Sequence, residues 1–290
     1  MPSNEQRRAA AKRKLERQLA NRAERARKRK QLTIAGSVLG VVVLVGAVAG
    51  VYFLTKGDGG DSSDSTGDAA ESSFSAAPAP DPAPKPETVN CLYTDGAPSA
   101  KPVQKPSRTE GIPTTGADAR VSVSMDTNLG PLGLTLNNAE SPCTVNSFVS
   151  LATQGFFDET ECHRMTTGDT LKVLQCGDPT ATGQGGPGYM YANEYPTDQY
   201  AEGDPASMEP IRYERGVLAM ANAGAGTNGS QFFLVYGDSQ LPPQYTIFGT
   251  VDESSLATLD KIAEVGQDDS NGLGDGKPNT PVTIQAVSLD

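Results

Sequence analysis

The sequence contains a single histidine, His163, which is followed directly by Arg164 in the string CHRM. Metal centres and Ser-His-Asp hydrolases normally need an imidazole in a defined constellation, and a lone histidine disfavours both. The chain also lacks a G-x-S-x-G string, the signature of the nucleophile in α/β-hydrolases. Hydrolysis is therefore disfavoured, and no metal or cofactor is expected.

The chain has four cysteines, and an even number in an oxidising compartment suggests two disulfides, for which three pairings are possible. The spacing of Cys162 and Cys176 is unlike that of a zinc site. If the segments 161–165 and 171–175 are antiparallel neighbours, both sulfurs lie at the open end of that pair, where a disulfide fits. The possible disulfides are Cys162–Cys176 and Cys91–Cys143.

Most of the second half of the chain consists of short alternating or apolar segments separated by turn residues, a pattern that predicts strands. The strings ARVSVSM and GPLGLTLN around residues 127–130 predict a β-hairpin. Further strands are predicted at 161–165, 171–175, 216–221, 231–236, 246–251 and 282–289. So many short strands favour an antiparallel barrel or sandwich.

Two helices are predicted among these strands. The first has Ser141 as N-cap and Pro142 at its first position, and it ends at Gly155. The second is predicted near 255–265.

Four strings occur in an order typical of one family: CHRM (162–165), VLQCGD (173–178), MANAGAGTNGSQFF (220–233) and TIFGTV (246–251). Together they resemble the cyclophilin peptidyl-prolyl isomerases over about residues 117–290, and in particular the membrane-anchored cyclophilins of actinobacteria. The resemblance implies a mainly β fold, a closed eight-stranded antiparallel barrel capped by two helices. It also implies that the Ala-Asn-Ala-Gly run is the floor of a groove, where small side chains let an extended peptide approach closely.

The activity implied by the resemblance is cis-trans isomerisation of X–Pro bonds. Rotation of such an amide is opposed by a resonance barrier of roughly 18–20 kcal/mol and requires no nucleophile. The resemblance makes Arg164 the catalytic group, because a fixed guanidinium can bind the proline nitrogen better in the twisted state than in the planar one.

The resemblance also assigns the peptide-binding residues. The proline pocket is expected at Phe233, Leu241 and Tyr245, with Val173 at its border. Backbone contacts, or support of the arginine, are expected from Gln175, Asn222 and Gln231, and the groove walls from Ala221, Ala223, Thr227 and Gly183. Strand alternation places Phe232 in the core and turns His163 away from Arg164, as a structural residue.

The chain departs from the family pattern at three places. Extra residues separate Arg164 from Gln175, so the aromatic residue that floors the proline pocket in relatives has no clear equivalent, and Leu171 or Lys172 takes its place. Gln240 stands where many members have tryptophan, which puts cyclosporin binding in doubt. Tyr245 replaces a common histidine, and catalysis is expected to survive this.

The N-terminal residues have a different character. Residues 1–30 contain 12 Lys/Arg and 3 acidic residues, a net charge of +9, and the remaining residues carry 12 basic and 32 acidic, a net charge of −20. Residues 32–54 are uncharged and apolar, long enough to cross a hydrocarbon core of roughly 30 Å. A retained anchor is favoured over a signal peptide cleaved near Ala49. The positive-inside rule places the N-terminus in the cytoplasm and the rest outside.

The predicted organisation is a basic cytoplasmic tail (1–31), a transmembrane helix (32–54), a linker (55–116) and an isomerase domain (117–290). The linker is rich in Gly, Ser and Asp and then in Pro, which predicts disorder, with partial docking near Cys91. The basic tail is interpreted as an orientation signal, with a nucleic-acid-binding arm as the alternative. The chain is otherwise expected to be a monomer without a nucleic-acid partner.

The sequence thus predicts a single-pass protein of the cell membrane that isomerises proline-containing polypeptides outside the cytoplasm and assists their folding. The alternative is a non-catalytic module or holdase that binds proline peptides in the same groove.

Overall fold

The computed structural model describes residues 76–290. The predicted basic tail, the predicted membrane span and residues 55–75 of the predicted linker lie outside the described residues. Within 76–290, no helix combines the length and the apolar character that a membrane crossing requires.

The described part of the chain contains seventeen strands and two α-helices. The strands are β1 (Ala77–Pro78), β2 (Thr88–Val89), β3 (Thr94–Asp95), β4 (Ile112–Pro113), β5 (Arg120–Thr127), β6 (Gly130–Asn137), β7 (Thr160–Glu161), β8 (Arg164–Thr166), β9 (Lys172–Cys176), β10 (Tyr189–Met190), β11 (Ile211–Tyr213), β12 (Val217–Met220), β13 (Phe232–Gly237), β14 (Ser239–Leu241), β15 (Ile247–Val251), β16 (Asp275–Gly276) and β17 (Thr283–Leu289). The helices are α1 (Pro142–Thr153) and α2 (Leu256–Glu264).

Ten of the strands form one antiparallel sheet in the order β16-β8-β9-β13-β12-β15-β6-β5-β17-β7. Strands β7 and β8 lie near opposite ends of this order, yet only Cys162 and His163 separate them in the chain. The sheet must therefore curl until its two ends come together. The predicted mainly β fold with two helices is confirmed.

The strand count and the closure differ from the predicted closed eight-stranded barrel. The predicted strand at 161–165 is two short strands, because its first half pairs with β17 and its second half with β9. Strand β16 adds a further partner beyond β8. The hydrogen-bonded order of the described strands therefore begins at β16 and ends at β7, and these two do not pair with each other.

The interior of the curled sheet is filled by aromatic side chains from the sheet and from α1. The ring of Phe148 lies 5.4 Å from that of Phe232 and 5.3 Å from that of Phe248, measured between centroids. Helix α2 contributes Leu259 and Ile262, both fully buried. These contacts fix β13, the strand that carries Phe233, relative to the rest of the sheet.

Helix α1 begins where the Ser-Pro pair predicts, but Ser141 does not cap it with its side chain. The Ser141 hydroxyl donates to the carbonyl oxygen of Ile247 (2.7 Å). The carboxylate of Glu194 instead accepts from the backbone nitrogens of Cys143 (3.0 Å) and Thr144 (2.8 Å). A distant carboxylate thus satisfies helix donors that would otherwise lack partners and complements the positive end of the helix dipole.

Residues 76–116, which we call the strap, lie along the domain. The docking predicted near Cys91 is present, and the prediction of a disordered linker is wrong only for residues 76–88, which also pair with the domain. Strand β1 pairs in parallel with β11, β3 pairs with β10, and β2 pairs with β4 inside the strap. Cys91, Tyr93 and Ile112 are buried, and the Tyr93 hydroxyl donates to the carbonyl oxygen of Cys143 (2.8 Å). These few apolar anchors hold a segment whose overall composition is typical of disorder.

Both predicted disulfides are present, Cys91–Cys143 and Cys162–Cys176. The first ties the strap to α1. The second ties the residue two positions before Arg164 to the end of β9, as the predicted antiparallel pairing of these segments requires. No cysteine is free in the described chain.

Candidate functional site

Strand register places the central predicted residues side by side. Arg164 on β8 lies opposite Gln175 on β9, which in turn lies opposite Phe233 on β13. Side chains of directly opposed residues project from the same face of a sheet, so Arg164 and Phe233 share a face at a backbone separation of roughly 10 Å, two strand spacings. Phe232 projects from the other face into the interior, as predicted.

The Arg164 guanidinium is held on two sides. Its Nε donates to both carboxylate oxygens of Asp275 (2.9 and 3.1 Å), and Nη2 donates to Oδ2 of Asp275 (2.6 Å). Its Nη1 donates to Oε1 of Gln175 (3.2 Å). An arginine has five N–H donors, so one donor on Nη1 and one on Nη2 remain for a ligand. The Arg164 side chain is 33% exposed, enough for a peptide to reach it.

The amide of Gln175 is fixed in turn by a chain of hydrogen bonds. Its Nε2 donates to Oε1 of Gln231 (2.9 Å), whose own Nε2 donates to the carbonyl oxygen of Gly185 (2.9 Å). The orientation of the two glutamines follows from these partners. Of the two roles predicted for Gln175 and Gln231, the structure shows support of the arginine.

The residues of the predicted proline pocket form an apolar cluster separate from the interior of the sheet. Phe233 and Val173 are nearly buried in it, and Leu241 and Tyr245 are partly exposed at its edge. The rings of Phe233 and Tyr245 meet edge to face at 5.8 Å. Leu171 packs against the same cluster, so of the two candidates for the missing aromatic residue the structure supports Leu171.

The floor of the groove borders a cavity of about 490 Å³. It is lined by six predicted residues, Gly183, Ala221, Asn222, Ala223, Thr227 and Gln231. Ala97 of the strap also lines it, which the sequence did not indicate. Asn222 donates to the carbonyl oxygen of Gln244 (2.8 Å) and thereby connects this floor to the segment that carries Tyr245.

The loop 178–186, which contains Gly183, is wrapped around the buried carboxylate of Asp178. This group accepts from the backbone nitrogens of Thr180 (2.8 Å), Gln184 (3.0 Å) and Gly185 (2.9 Å). Burial alone would raise the pKa of Asp178, but the hydrogen bonds from the Gly185 backbone and from the backbone and hydroxyl of Thr180, together with nearby His163, lower the pKa to about 2. A Cβ on Gly185 would lie 1.9 Å from Oδ1 of Asp178, so only glycine allows the backbone to approach this closely.

A second cavity, of about 400 Å³, is lined by Arg164 together with His163, Asn271 and Lys277, and it shares Gly183 with the first. The expectation that His163 points away from Arg164 does not hold, because His163 precedes the first residue of β8 and strand alternation does not apply to it. Burial lowers the pKa of His163, which favours the neutral imidazole beside the guanidinium.

Neither cavity is lined by Phe233, Leu241, Tyr245 or Val173. The structure therefore brings the predicted residues together as two neighbouring parts, an apolar cluster and a polar groove, with Arg164, Gln175 and Gln231 between them. Among residues 76–290 there is no group of three His, Cys, Asp or Glu side chains suited to a metal ion.

Comparison with known proteins identifies the family. The profile described as "Cyclophilin type peptidyl-prolyl cis-trans isomerase/CLD" matches residues 122–289. The chain belongs to the cyclophilin family. It is a peptidyl-prolyl cis-trans isomerase, as the sequence predicted.

Several named cyclophilins are similar to this chain. The "Probable peptidyl-prolyl cis-trans isomerase B" of Mycobacterium leprae is 54% identical over the full length of both chains. The protein of the same name from Mycobacterium tuberculosis is 61% identical over 70% of this chain and 64% of its own length. A crystal structure of a cyclophilin-type isomerase from Cryptosporidium parvum has 30% identity and a TM-score of 0.48, covering 59% of this chain and 98% of that one.

The sequence analysis did not predict four residues that lie at this site: Asp275, Asn271, Lys277 and Ala97. The first three lie in or beside a Gly/Asp/Asn-rich turn whose composition indicates only a loop. Ala97 lies in the segment that was predicted to be a linker. No sequence pattern connects any of them to Arg164.

Proposed function

We propose that this isomerase acts on proline-containing segments of extracytoplasmic proteins and that Arg164 is its catalytic group. One observation carries the proposal. A guanidinium with two unengaged N–H donors lies on the same sheet face as an apolar cluster, held in place by an ion pair and by Gln175.

The proposed mechanism requires no covalent step. A proline ring seated on Leu241 and Tyr245, against Phe233, is held while the preceding carbonyl group rotates. As the amide twists, its nitrogen loses conjugation and becomes a hydrogen-bond acceptor. An N–H of Arg164 binds that nitrogen only in the twisted state, and an interaction made only in the transition state lowers the barrier.

The residues before the proline have a place in this arrangement. Ala221, Asn222 and Ala223 follow β12 and border the 490 Å³ cavity. Their small side chains allow an extended peptide backbone to lie close to the backbone of the protein. We propose that this cavity accepts the side chain of a residue that precedes the proline.

The decisive experiment measures cis-trans exchange of a proline peptide by NMR, or by a protease-coupled assay, with the full-length chain. Arg164→Ala is expected to lower kcat/KM about 100- to 1000-fold, the typical cost of removing one donor that stabilises a transition state. Arg164→Lys keeps the charge but not the planar fork and is expected to remain well below wild type.

Arg215→Ala is a matched control, because Arg215 also forms an ion pair, with Asp260 (2.6 Å), on the surface at α2. It is expected to retain wild-type kcat/KM. Wild-type activity in Arg164→Ala would overturn the assignment of the catalytic group.

The proposed location outside the cytoplasm rests on the uncharged segment 32–54 that follows the basic residues 1–30, and on the two disulfides. Disulfides persist in oxidising compartments and are rare in the cytosol. Protease added to intact spheroplasts is expected to digest the domain, and a domain protected until the membrane is lysed would contradict the location.

A further inference from the structure

The carboxylate of Asp275 engages the Nε–Nη2 edge of Arg164 with both of its oxygens. Because Asp275 occupies this edge, the N–H groups of Nη1 and the second N–H of Nη2 point away from the carboxylate. The ion pair is only partly exposed, with side-chain exposures of 33% for Arg164 and 29% for Asp275. A bidentate pair of this kind fixes both the position and the plane of a guanidinium.

Asp275 is itself held in place by the sheet. Strand β16 pairs with β8, with Asp275 opposite Thr166 and Gly276 opposite Met165. Asn271 donates from Nδ2 to Oδ1 of Asp275 (3.1 Å), and its backbone nitrogen donates to the Asp275 carbonyl oxygen (3.0 Å). The carboxylate is therefore positioned before any peptide arrives.

The turn that carries Asp275 has an internal framework of its own. Oδ1 of Asp268 accepts from the backbone nitrogens of Ser270 (3.0 Å) and Lys277 (2.8 Å). Oδ1 of Asp269 accepts from the backbone nitrogen of Gly274 (2.7 Å). The three aspartates thus have different roles: two organise the turn, and only Asp275 reaches Arg164.

We infer that Asp275 is a positioning residue of the isomerase, which orients the Arg164 guanidinium so that its free donors face the rotating amide. The inference rests on the proposed catalytic role of Arg164. The carboxylate does not touch the substrate and acts only through the arginine.

Two effects of the carboxylate oppose each other. It orients the guanidinium, and it also offsets part of the positive charge that the twisted amide would meet. Both side chains are about one-third exposed, so water and salt screen part of the charge effect. A displacement of about 1 Å at a reacting group can lower a rate about 100-fold. Orientation therefore dominates, and removal of the carboxylate slows the reaction.

The test compares three substitutions in the full-length chain. Asp275→Ala is expected to lower kcat about tenfold while KM stays within about twofold, since the apolar cluster and the groove are unchanged. Asp275→Asn is expected to lower kcat at least as much, because its amide nitrogen cannot accept from the guanidinium. Asp275→Glu, which restores a bidentate acceptor, is expected to recover most of the loss.

Asp260→Asn is the matched control, since it removes the same charge from the ion pair with Arg215. It is expected to retain wild-type kcat. The inference is overturned if Asp275→Ala keeps wild-type kcat, if the whole loss appears in KM, or if Asp260→Asn causes an equal loss.

A double variant separates this inference from the proposed function. If Asp275 acts only through Arg164, then Asp275→Ala causes no further loss in an Arg164→Ala background. An inactive Arg164→Ala together with a fully active Asp275→Ala would refute the positioning role alone. A fully active Arg164→Ala would instead refute the catalytic assignment on which it rests.

Discussion

Phe232 and Phe233 are adjacent residues that belong to different parts of the molecule. Phe232 is fully buried in the interior of the sheet, against Phe148 and Phe248. Phe233 lies in the apolar cluster with Tyr245. Neighbouring positions on one strand therefore separate the folding core from the proposed proline pocket, and a substitution at each position is the control for the other.

We expect Phe233→Leu to raise KM for a proline peptide about fivefold, because the ring that we propose as a contact of the bound proline is lost. We expect Phe232→Leu to leave KM unchanged and to lower the free energy of unfolding by about 1–2 kcal/mol, within the range for trimmed core residues. Peptide kinetics and urea denaturation measure the two effects. An equal change of KM in both variants would contradict the division between the two faces.

At this scale the sequence predicted residues that stand in a family string or within a few positions of one, and it missed residues far from any string. Arg164, Gln175, Gln231 and Phe233 stand in such strings, and the strand register brings them together as expected. Asp275 could not be found, because it reaches Arg164 only through a strand pairing across 111 residues. His163 was misplaced because it lies between β7 and β8, where strand alternation does not apply.

Among the elements of the site, the loop 178–186 owes its conformation to the charge of one side chain, Asp178. In Asp178→Asn the amide oxygen can still accept hydrogen bonds at the position of Oδ1. The amide nitrogen that replaces Oδ2 cannot accept from the backbone nitrogens of Gln184 and Gly185, which bond to Oδ2 in the wild type. Leaving these donors without partners is expected to lower the free energy of unfolding by about 2–4 kcal/mol. Asp169→Asn, at an exposed turn, is the control.

The sign of the pH dependence follows from the pKa of Asp178, which is about 2 in the folded chain against an ordinary value of 3.8. The ionised Asp178 side chain stabilises the fold fully at pH values above the ordinary pKa of 3.8. This contribution is lost as the pH falls through the folded-state pKa of about 2. Denaturation curves at several acidic pH values are expected to show this loss in the wild type and a shallower dependence in Asp178→Asn. Parallel pH profiles for both proteins would contradict it.

The elements themselves were predictable to the extent that they have a periodic pattern. The β5–β6 hairpin, strands β9, β12, β13, β15 and β17, and both helices lie within a few residues of their predicted places. Strands β10, β11, β14 and β16 have two or three residues each, too short to show alternation. Their pairing depends on contacts across the fold, which composition does not encode.

At the scale of the described domain, the fold includes the strap. It is therefore larger than the isomerase domain predicted at residues 117–290. The Cys91–Cys143 bond closes a segment of 52 residues, and a cross-link of this span stabilises by about 4 kcal/mol when treated as lost chain entropy. The double variant Cys91→Ala/Cys143→Ala is expected to have a lower thermal midpoint, with Tyr93 more accessible to solvent.

Thermal unfolding of the wild type and of the double variant, compared side by side, measures this contribution. Reduction of the wild type does not isolate it, because the reductant also breaks Cys162–Cys176. The kcat of the double variant at low temperature is expected to stay near that of the wild type, because Arg164 and its partners lie outside this link. The KM is not a control here, because Ala97 of the strap lines the groove cavity. An unchanged midpoint would show that the strap does not contribute to stability. The docking near Cys91 was predicted. Composition averages over a segment, however, and did not indicate that residues 76–88 also pair with the domain.

The ion pair between Arg164 and Asp275 also bears on how peptides find the groove. A lone cation in a cleft attracts acidic ligands from a distance, and their capture slows steeply as salt is added. Here the cation faces solvent together with its counter-charge, so the field beyond a few ångströms is mainly that of a dipole. The pair itself therefore favours neither acidic nor basic flanks. A preference at low ionic strength is expected to come from the net charge of −20 on residues 31–290, to favour basic flanks, and to fade as salt is added.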